Sequence, residues 1–226
     1  MTATPNDRSD PLPEVAVPAP LPSELIDGFR RFRSTRYQRE RDRYRQLVER
    51  GQQPATLLVA CSDSRSGPEV VFDALPGELF VVRNVGALVP VYAPDNRNHA
   101  ASAALEYGVL HLNVSSIVVM GHGRCGGVAA ALGDATPLSS TDFIGAWTQA
   151  LRDLADDLEP EDWADPARAH RALELRSVEQ SIVNLQTFPW IRSRERAGTL
   201  QLAACWFDIG VGELHQLEPK GWRLVS

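Results

Sequence analysis

Leu57-Leu58-Val59-Ala60-Cys61-Ser62-Asp63-Ser64-Arg65 is the stretch whose reading decides the fold. Its apolar run is too short for a helix and is cut off by a cysteine and four polar residues. That pattern describes a strand buried on both faces that ends in a loop. Two more runs share the character: Leu79-Phe80-Val81-Val82, and Ile117-Val118-Val119-Met120, which leads directly into Gly121-His122-Gly123-Arg124-Cys125-Gly126-Gly127. Helical patterns near 67–74, 99–112 and 124–132 alternate with these strands, as a sheet covered on both faces requires.

Beyond them, Trp147, Leu151, Leu154 and Leu158 mark one helix, and Leu175, Val178, Ile182 and Leu185 form the apolar stripe of another over 169–188, with Gly145 and Pro160 as boundaries. Leu200, Leu202 and Ala204 then alternate into Trp206, and residues 211–217 suggest an edge hairpin. The expected fold is α/β: a central, mostly parallel sheet of four strands plus an edge strand, flanked by helices and preceded by an N-terminal helical arm. In that arm, Leu25, Phe29, Phe32, Tyr37, Tyr44 and Val48 recur at helical spacing amid Arg and Glu. The division expected is a flexible tail over 1–22 and one domain over 23–226, with 23–50 as the arm.

The 226 residues suffice for one domain with a sizeable core, and 43% hydrophobic with 23% charged residues is an ordinary globular composition. A net charge of −6 argues against nonspecific nucleic-acid binding, which needs a surplus of Lys and Arg. No apolar stretch is long enough to insert in a membrane, and no leader-like start is visible. The three cysteines, Cys61, Cys125 and Cys205, are odd in number and far apart, so they read as thiols rather than disulfides; a cytoplasmic location is expected.

Both polar loops begin where a strand stops, and therefore open onto one sheet edge. There Cys61, His122 and Cys125 offer two thiolates and an imidazole, a donor set for zinc with one position left open for catalysis. His122 and Cys125, three apart, are expected on the first turn of one helix, whose N-terminus favours the Cys125 thiolate. Asp63 and Arg65 form a natural planar ion pair beside them. Paired, Asp63 can orient a zinc-bound hydroxide; turned inward, it would be a fourth ligand in an inactive state. Two thiolates cancel much of the metal charge, so activity is expected to rise into the mildly alkaline range.

Other readings compete. Gly121-x-Gly123-x-x-Gly126 after a strand is also the dinucleotide fingerprint, which would need an acidic residue at the end of another strand; Asp142 is the nearest and looks like a helix cap. A purely structural zinc module would want a fourth Cys or His. Cys205 reads as a core residue, and His99, His111, His170 and His215 as surface or helix-face residues.

Cys-Ser-Asp-Ser-Arg at 61–65 followed by Gly-His-x-x-Cys-Gly-Gly at 121–127 resembles the signature pair of the β-carbonic anhydrases. The segments Pro76–Val85 and Ala104-Leu105-Glu106-Tyr107 resemble that family too. The resemblance implies zinc on Cys61, His122 and Cys125, a catalytic pair Asp63 and Arg65, and reversible hydration of carbon dioxide to bicarbonate. Relatives acting on carbon disulfide or carbonyl sulfide are the alternative. Matches to the plant-type branch imply Gln52 as a donor to bicarbonate, Phe80, Val85 and Tyr107 lining the pocket, and Gly126 beside the substrate. A homodimer or larger homo-oligomer is implied, with the helical arm on the partner. The chain departs from the family in reading Gly86-Ala87 where an Asn is common, and Gly123 where Ser, Thr or Ala often follows the histidine.

Overall fold

The computed structural model describes residues 18–226 apart from 96 and 135. Of the expected tail over 1–22, residues 1–17 lie outside the described residues. The chain divides into two compact units, Met1–Gln46 and Leu47–Ser226.

Two helices open the described chain, α1 (Ser23–Ser34) and α2 (Arg36–Arg50), and neither buries a residue. Phe32, Tyr37 and Tyr44 pack their rings together, Tyr37 on Tyr44 at 5.2 Å between centroids, while Leu25 and Phe29 stay exposed.

The larger unit is built on a six-stranded sheet: β1 (Thr56–Cys61), β2 (Leu79–Asn84), β3 (Ser116–His122), β4 (Gln201–Asp208), β5 (Glu213–Glu218) and β6 (Gly221–Leu224). Their order across the sheet is β2-β1-β3-β4-β5-β6; the first four are parallel, and β5 and β6 are antiparallel additions. The sheet thus gains one strand over the sequence reading. That strand, Gly-Trp-Arg-Leu, is too short and mixed to show a period of two.

Side chains alternate between the two faces of β1 as the pleat requires. Leu57 and Val59 enter one core with Ile117, Val119, Leu105 and Phe188, while Leu58 and Ala60 meet Met120 and Cys205 in the other. A third cluster gathers Cys61, Leu88, Cys125, Val128, Leu151 and Leu173 around the loops at the sheet's carboxyl edge.

The remaining helices are α3 (Pro68–Val71), α4 (Ala100–Glu106, continued as a π turn over Tyr107–His111), α5 (Gly126–Leu132), α6 (Phe143–Asp156), α7 (Pro166–Leu185) and α8 (Pro189–Arg196). Three details depart from the sequence reading. Gly145 lies inside the first turn of α6, because Asp142 caps that helix by accepting the Gly145 N–H. Val178 and Leu185 of the expected α7 stripe are buried, but at its start the buried residue is Leu173 rather than Leu175. A separate α8 follows α7, started by Pro189 at its first position, where the missing N–H costs nothing.

Candidate metal centre

β1 and β3 are parallel neighbours, with Ala60 opposite Met120, so Cys61 and His122 end their strands side by side. The chain leaves β1 for β2 on one flank and later returns to β3 on the other. The crevice at their carboxyl ends is thus a topological switch point, where open α/β sheets place their ligands. Cys125 reaches the same spot as the N-cap of α5. His122 and Cys125 are therefore not on one helical turn: helix begins only at Gly126, and Arg124 between them adopts a left-handed φ of 59° that reverses the chain.

The ligand atoms of Cys61, His122 and Cys125 all lie within 4.8 Å of one another and are buried. The two sulfurs are 3.9 Å apart, far too long for a disulfide of about 2.05 Å. Two sulfurs at ~2.3 Å from a tetrahedral zinc would be ~3.8 Å apart, so the spacing fits the metal. His122 supports the same assignment. Its Nδ1 lies 3.0 Å from the Gly123 carbonyl, which can only accept, so Nδ1 carries the proton and Nε2 offers a lone pair. Nε2 is buried and has no hydrogen-bond partner among the described residues. A buried orphan acceptor beside two thiols is what a metal would satisfy.

Between the two sulfurs alone, the Cys125 thiol hydrogen-bonds Cys61 and stabilises its thiolate. Against the cost of burial, this holds Cys61 down at about 4, with further help from His122 and the backbone at Asp63 and Gly86. The Cys125 proton is correspondingly hard to remove, through that same bond and then burial, although the Val128 and Gly127 amides of α5 pull the other way. The helix terminus expected to ionise Cys125 is thus outweighed by its neighbour, and metal binding must displace that proton.

Asp63 sits two residues beyond Cys61 and is held by Arg65 at both oxygens: Nε donates to Oδ1 at 2.9 Å and a terminal nitrogen to Oδ2 at 2.7 Å. The Arg65 backbone N–H adds a third bond to Oδ1. Arg65 holds the carboxyl well below the usual carboxylate range. Oδ2 lies 3.9 Å from His122 Nε2, so the carboxylate borders the donor trio while remaining turned toward Arg65.

A family model described as carbonic anhydrase matches residues 56–214. A carbonic anhydrase of Pseudomonas aeruginosa is 34% identical over 203 residues, covering 90% of each chain. One of Synechococcus elongatus is also 34% identical, over 86% of this chain and 71% of that one. Among solved structures, the β-carbonic anhydrase CcaA superposes with a TM-score of 0.81 at 30% identity, covering 90% of this chain and 98% of the other. The chain belongs to the β-carbonic anhydrases. A β-carbonic anhydrase of Coccomyxa, solved with acetazolamide, gives a TM-score of 0.74 at 28% identity over 86% and 85% of the two chains.

In this β-carbonic anhydrase the loop after β2 closes over Cys61. Gly86 donates its N–H to Cys61 Sγ at 3.3 Å and has a φ of +85°, a conformation natural only to glycine. Ala87 follows at a φ of 54°. At the second departure, Gly123, an added Cβ would stand 3.2 Å from the Trp206 ring, so the indole occupies the space that a larger residue would need.

The proposed pocket residues fall in several places. Phe80 and Tyr107 pack together at 5.8 Å between ring centroids. Val85 lies over Gly127 and is held by its carbonyl, which accepts the Trp147 indole N–H at 2.7 Å. Gly126 starts α5, where a Cβ would meet open space. Gln52 is exposed in the connection from α2 to β1. Asp142 caps α6 and ends no strand, so the acidic residue nearest the spacing a nicotinamide site would need does not stand where that site would use it.

Three residues of the site were not singled out from sequence. Arg83 donates to the Cys61 and Asp63 carbonyls at 2.8 and 2.6 Å, bracing the loop after β1. Trp147 anchors Val85. Glu174 on α7 is only 3% exposed and accepts from the Cys125 backbone. Within a helix rich in charge it reads as a surface residue, and the partners that hold it at the site, Cys125 and Trp206, are remote in the chain.

Proposed function

We propose that this β-carbonic anhydrase interconverts carbon dioxide and bicarbonate at the Cys61, His122 and Cys125 centre, with Asp63 and Arg65 as its catalytic pair. The observation that carries the reading is the position of the Asp63 carboxylate, 3.9 Å from the unpartnered His122 Nε2 and clamped by Arg65.

Zinc held by Cys61, His122 and Cys125 would supply Lewis acidity that lowers the pKa of water, tempered by the two thiolates. Asp63, kept ionised by Arg65, accepts a hydrogen bond from the attacking oxygen and aims its lone pair at the carbon of carbon dioxide. The same two-point grip keeps Asp63 from entering the donor set as a fourth ligand. Phe80, Tyr107 and Val85 supply apolar walls suited to a small apolar gas, while Gln52 is the amide donor for bicarbonate and Gly126 leaves room beside it. These matches to the plant-type branch support placing the chain there.

A cytoplasmic location is supported by three free, buried cysteines, two of which must stay reduced to hold a metal. A homodimer or larger assembly is supported by the exposed Leu25 and Phe29 of α1, an apolar face in want of a cover, and by the tetrameric β-carbonic anhydrases of Sordaria macrospora, 26% identical with a TM-score of 0.73 over 90% of this chain and 98% of that one.

Zinc analysis combined with stopped-flow hydration at pH 8.5, followed with a pH indicator, tests the reading. Stoichiometric zinc and rapid acidification are expected. Zinc without hydration would move the substrate to carbon disulfide or carbonyl sulfide, and absence of zinc from the native protein would overturn the reading.

A further inference from the structure

The peptide unit joining Arg124 to Cys125 is gripped at both ends. Its carbonyl, on Arg124, accepts from an Arg65 terminal nitrogen at 2.9 Å. Its N–H, on Cys125, donates to Glu174 Oε1 at 2.9 Å. One rigid plane therefore runs from a buried carboxylate on α7 to the guanidinium that holds Asp63, and it carries the Cys125 side chain at its end.

We propose that Glu174 is a positioning residue: it fixes the orientation of the Arg124–Cys125 peptide, and through it both the Cys125 sulfur and the Arg65 guanidinium. The inference rests on the zinc reading of the Cys61, His122 and Cys125 trio and extends it to a residue outside that set.

Four observations support it. Cys125 precedes the first helical residue of α5, so no intrahelical carbonyl awaits its N–H, and water has no ready access to this buried residue. Without Glu174 the donor would be left unsatisfied, and rotation of the peptide would be the relief. Rotation is a real alternative because Arg124 holds a left-handed φ of 59°, a conformation a non-glycine residue adopts only when its surroundings impose it.

Glu174 is itself held rigidly. Its Oε2 accepts the Trp206 indole N–H at 3.1 Å from β4, and its Oε1 also lies 2.8 Å from His170 Nδ1, one turn earlier on α7. The carboxylate is thus tied to the sheet through Oε2 and to its own helix through Oε1, and that same Oε1 accepts the Cys125 N–H from the loop. Finally, among the described residues the Arg124 carbonyl is the one hydrogen-bond partner that Arg65 has besides Asp63. If that carbonyl turns away, Arg65 loses the tether that sets its angle toward Asp63.

The test compares the holoenzyme with E174Q, E174A and, as a control, L185A, which truncates a fully buried α7 side chain at the far end of the helix. Three quantities are read: the rate of zinc transfer to a chromogenic chelator, the visible spectrum after cobalt substitution, and the melting temperature. E174A should release zinc 10–100-fold faster and shift the cobalt ligand-field bands, as losses of groups supporting a metal ligand do. E174Q, whose amide oxygen can still accept from Cys125 but whose NH2 opposes the Trp206 indole N–H, should fall between E174A and wild type. L185A should melt lower yet keep wild-type zinc release and cobalt bands.

A wild-type cobalt spectrum and zinc release in both Glu174 variants would overturn the proposal. Equal acceleration in L185A at a matched loss of melting temperature would do the same, by making the effect one of general stability. If E174A does not fold, the E174Q comparison decides alone. Failure of the wild-type protein to hold zinc at all would instead strike the underlying metal reading, so the two failures are distinguishable.

Discussion

Asp63 and Arg65 face each other in a two-point contact, 2.9 Å from Nε to Oδ1 and 2.7 Å from a terminal nitrogen to Oδ2. Parallel N–H donors matched to a carboxylate are a property of arginine that lysine cannot reproduce. R65K should therefore keep zinc and fold but lose roughly 10–100-fold in kcat, and D63N should lose at least as much. Stopped-flow kinetics with parallel metal analysis checks both, and an unimpaired D63N would remove Asp63 from the reaction.

The same contact has a signed pH dependence. Arg65 lowers the folded-state value of Asp63 beneath its unfolded value of about 3.9. The resulting stability is complete above that unfolded value and is lost as pH falls toward the depressed one. The melting-temperature gap between wild type and D63N should hence be constant from pH 7 to about 5 and close progressively below about 4. A gap that widened on acidification would contradict the sign.

C125S and H122A should each carry at least roughly tenfold less zinc than wild type when purified in parallel. Metal content by atomic absorption reads this directly. Retention of stoichiometric zinc in either variant would place the ion elsewhere.

The three thiols should respond differently to a disulfide reagent. Burial pushes Cys205 up to about 12, so its unreactive thiol form persists at ordinary pH. Stripping zinc with a chelator should expose the Cys61 thiolate to the reagent first, with Cys125, whose proton is held against Cys61, reacting more slowly, while Cys205 should react only after denaturant is added. Early reaction of all three would show that the β4 core opens readily.

Gly121 lies on β3 where an added Cβ would stand 2.5 Å from Val178 Cγ2 on α7. G121A should cost about 1–3 kcal/mol by overpacking. Combined with V178A, the cost should be smaller than the sum of the single changes, because each relieves the other. Urea unfolding of the four proteins measures the coupling, and simple additivity would mean that the contact is not the source of the strain.

By itself the sequence determined the parallel strands and the chemistry at their ends. Short apolar runs cut off by Cys61 and by Gly121-His122 can be read locally, because a strand buried on both faces must be apolar throughout and must stop where polar groups begin. The type of donor, two sulfurs and an imidazole, is likewise a property of residue identity. The tertiary structure alone decided how those donors meet. Strand order β2-β1-β3 set Cys61 beside His122, a left-handed Arg124 brought Cys125 back toward them, and Glu174, distant in the chain and unremarkable in a charged helix, closed the loop from behind. Such roles leave no local mark, because a hydrogen bond between remote residues imposes no periodicity on the segments that make it.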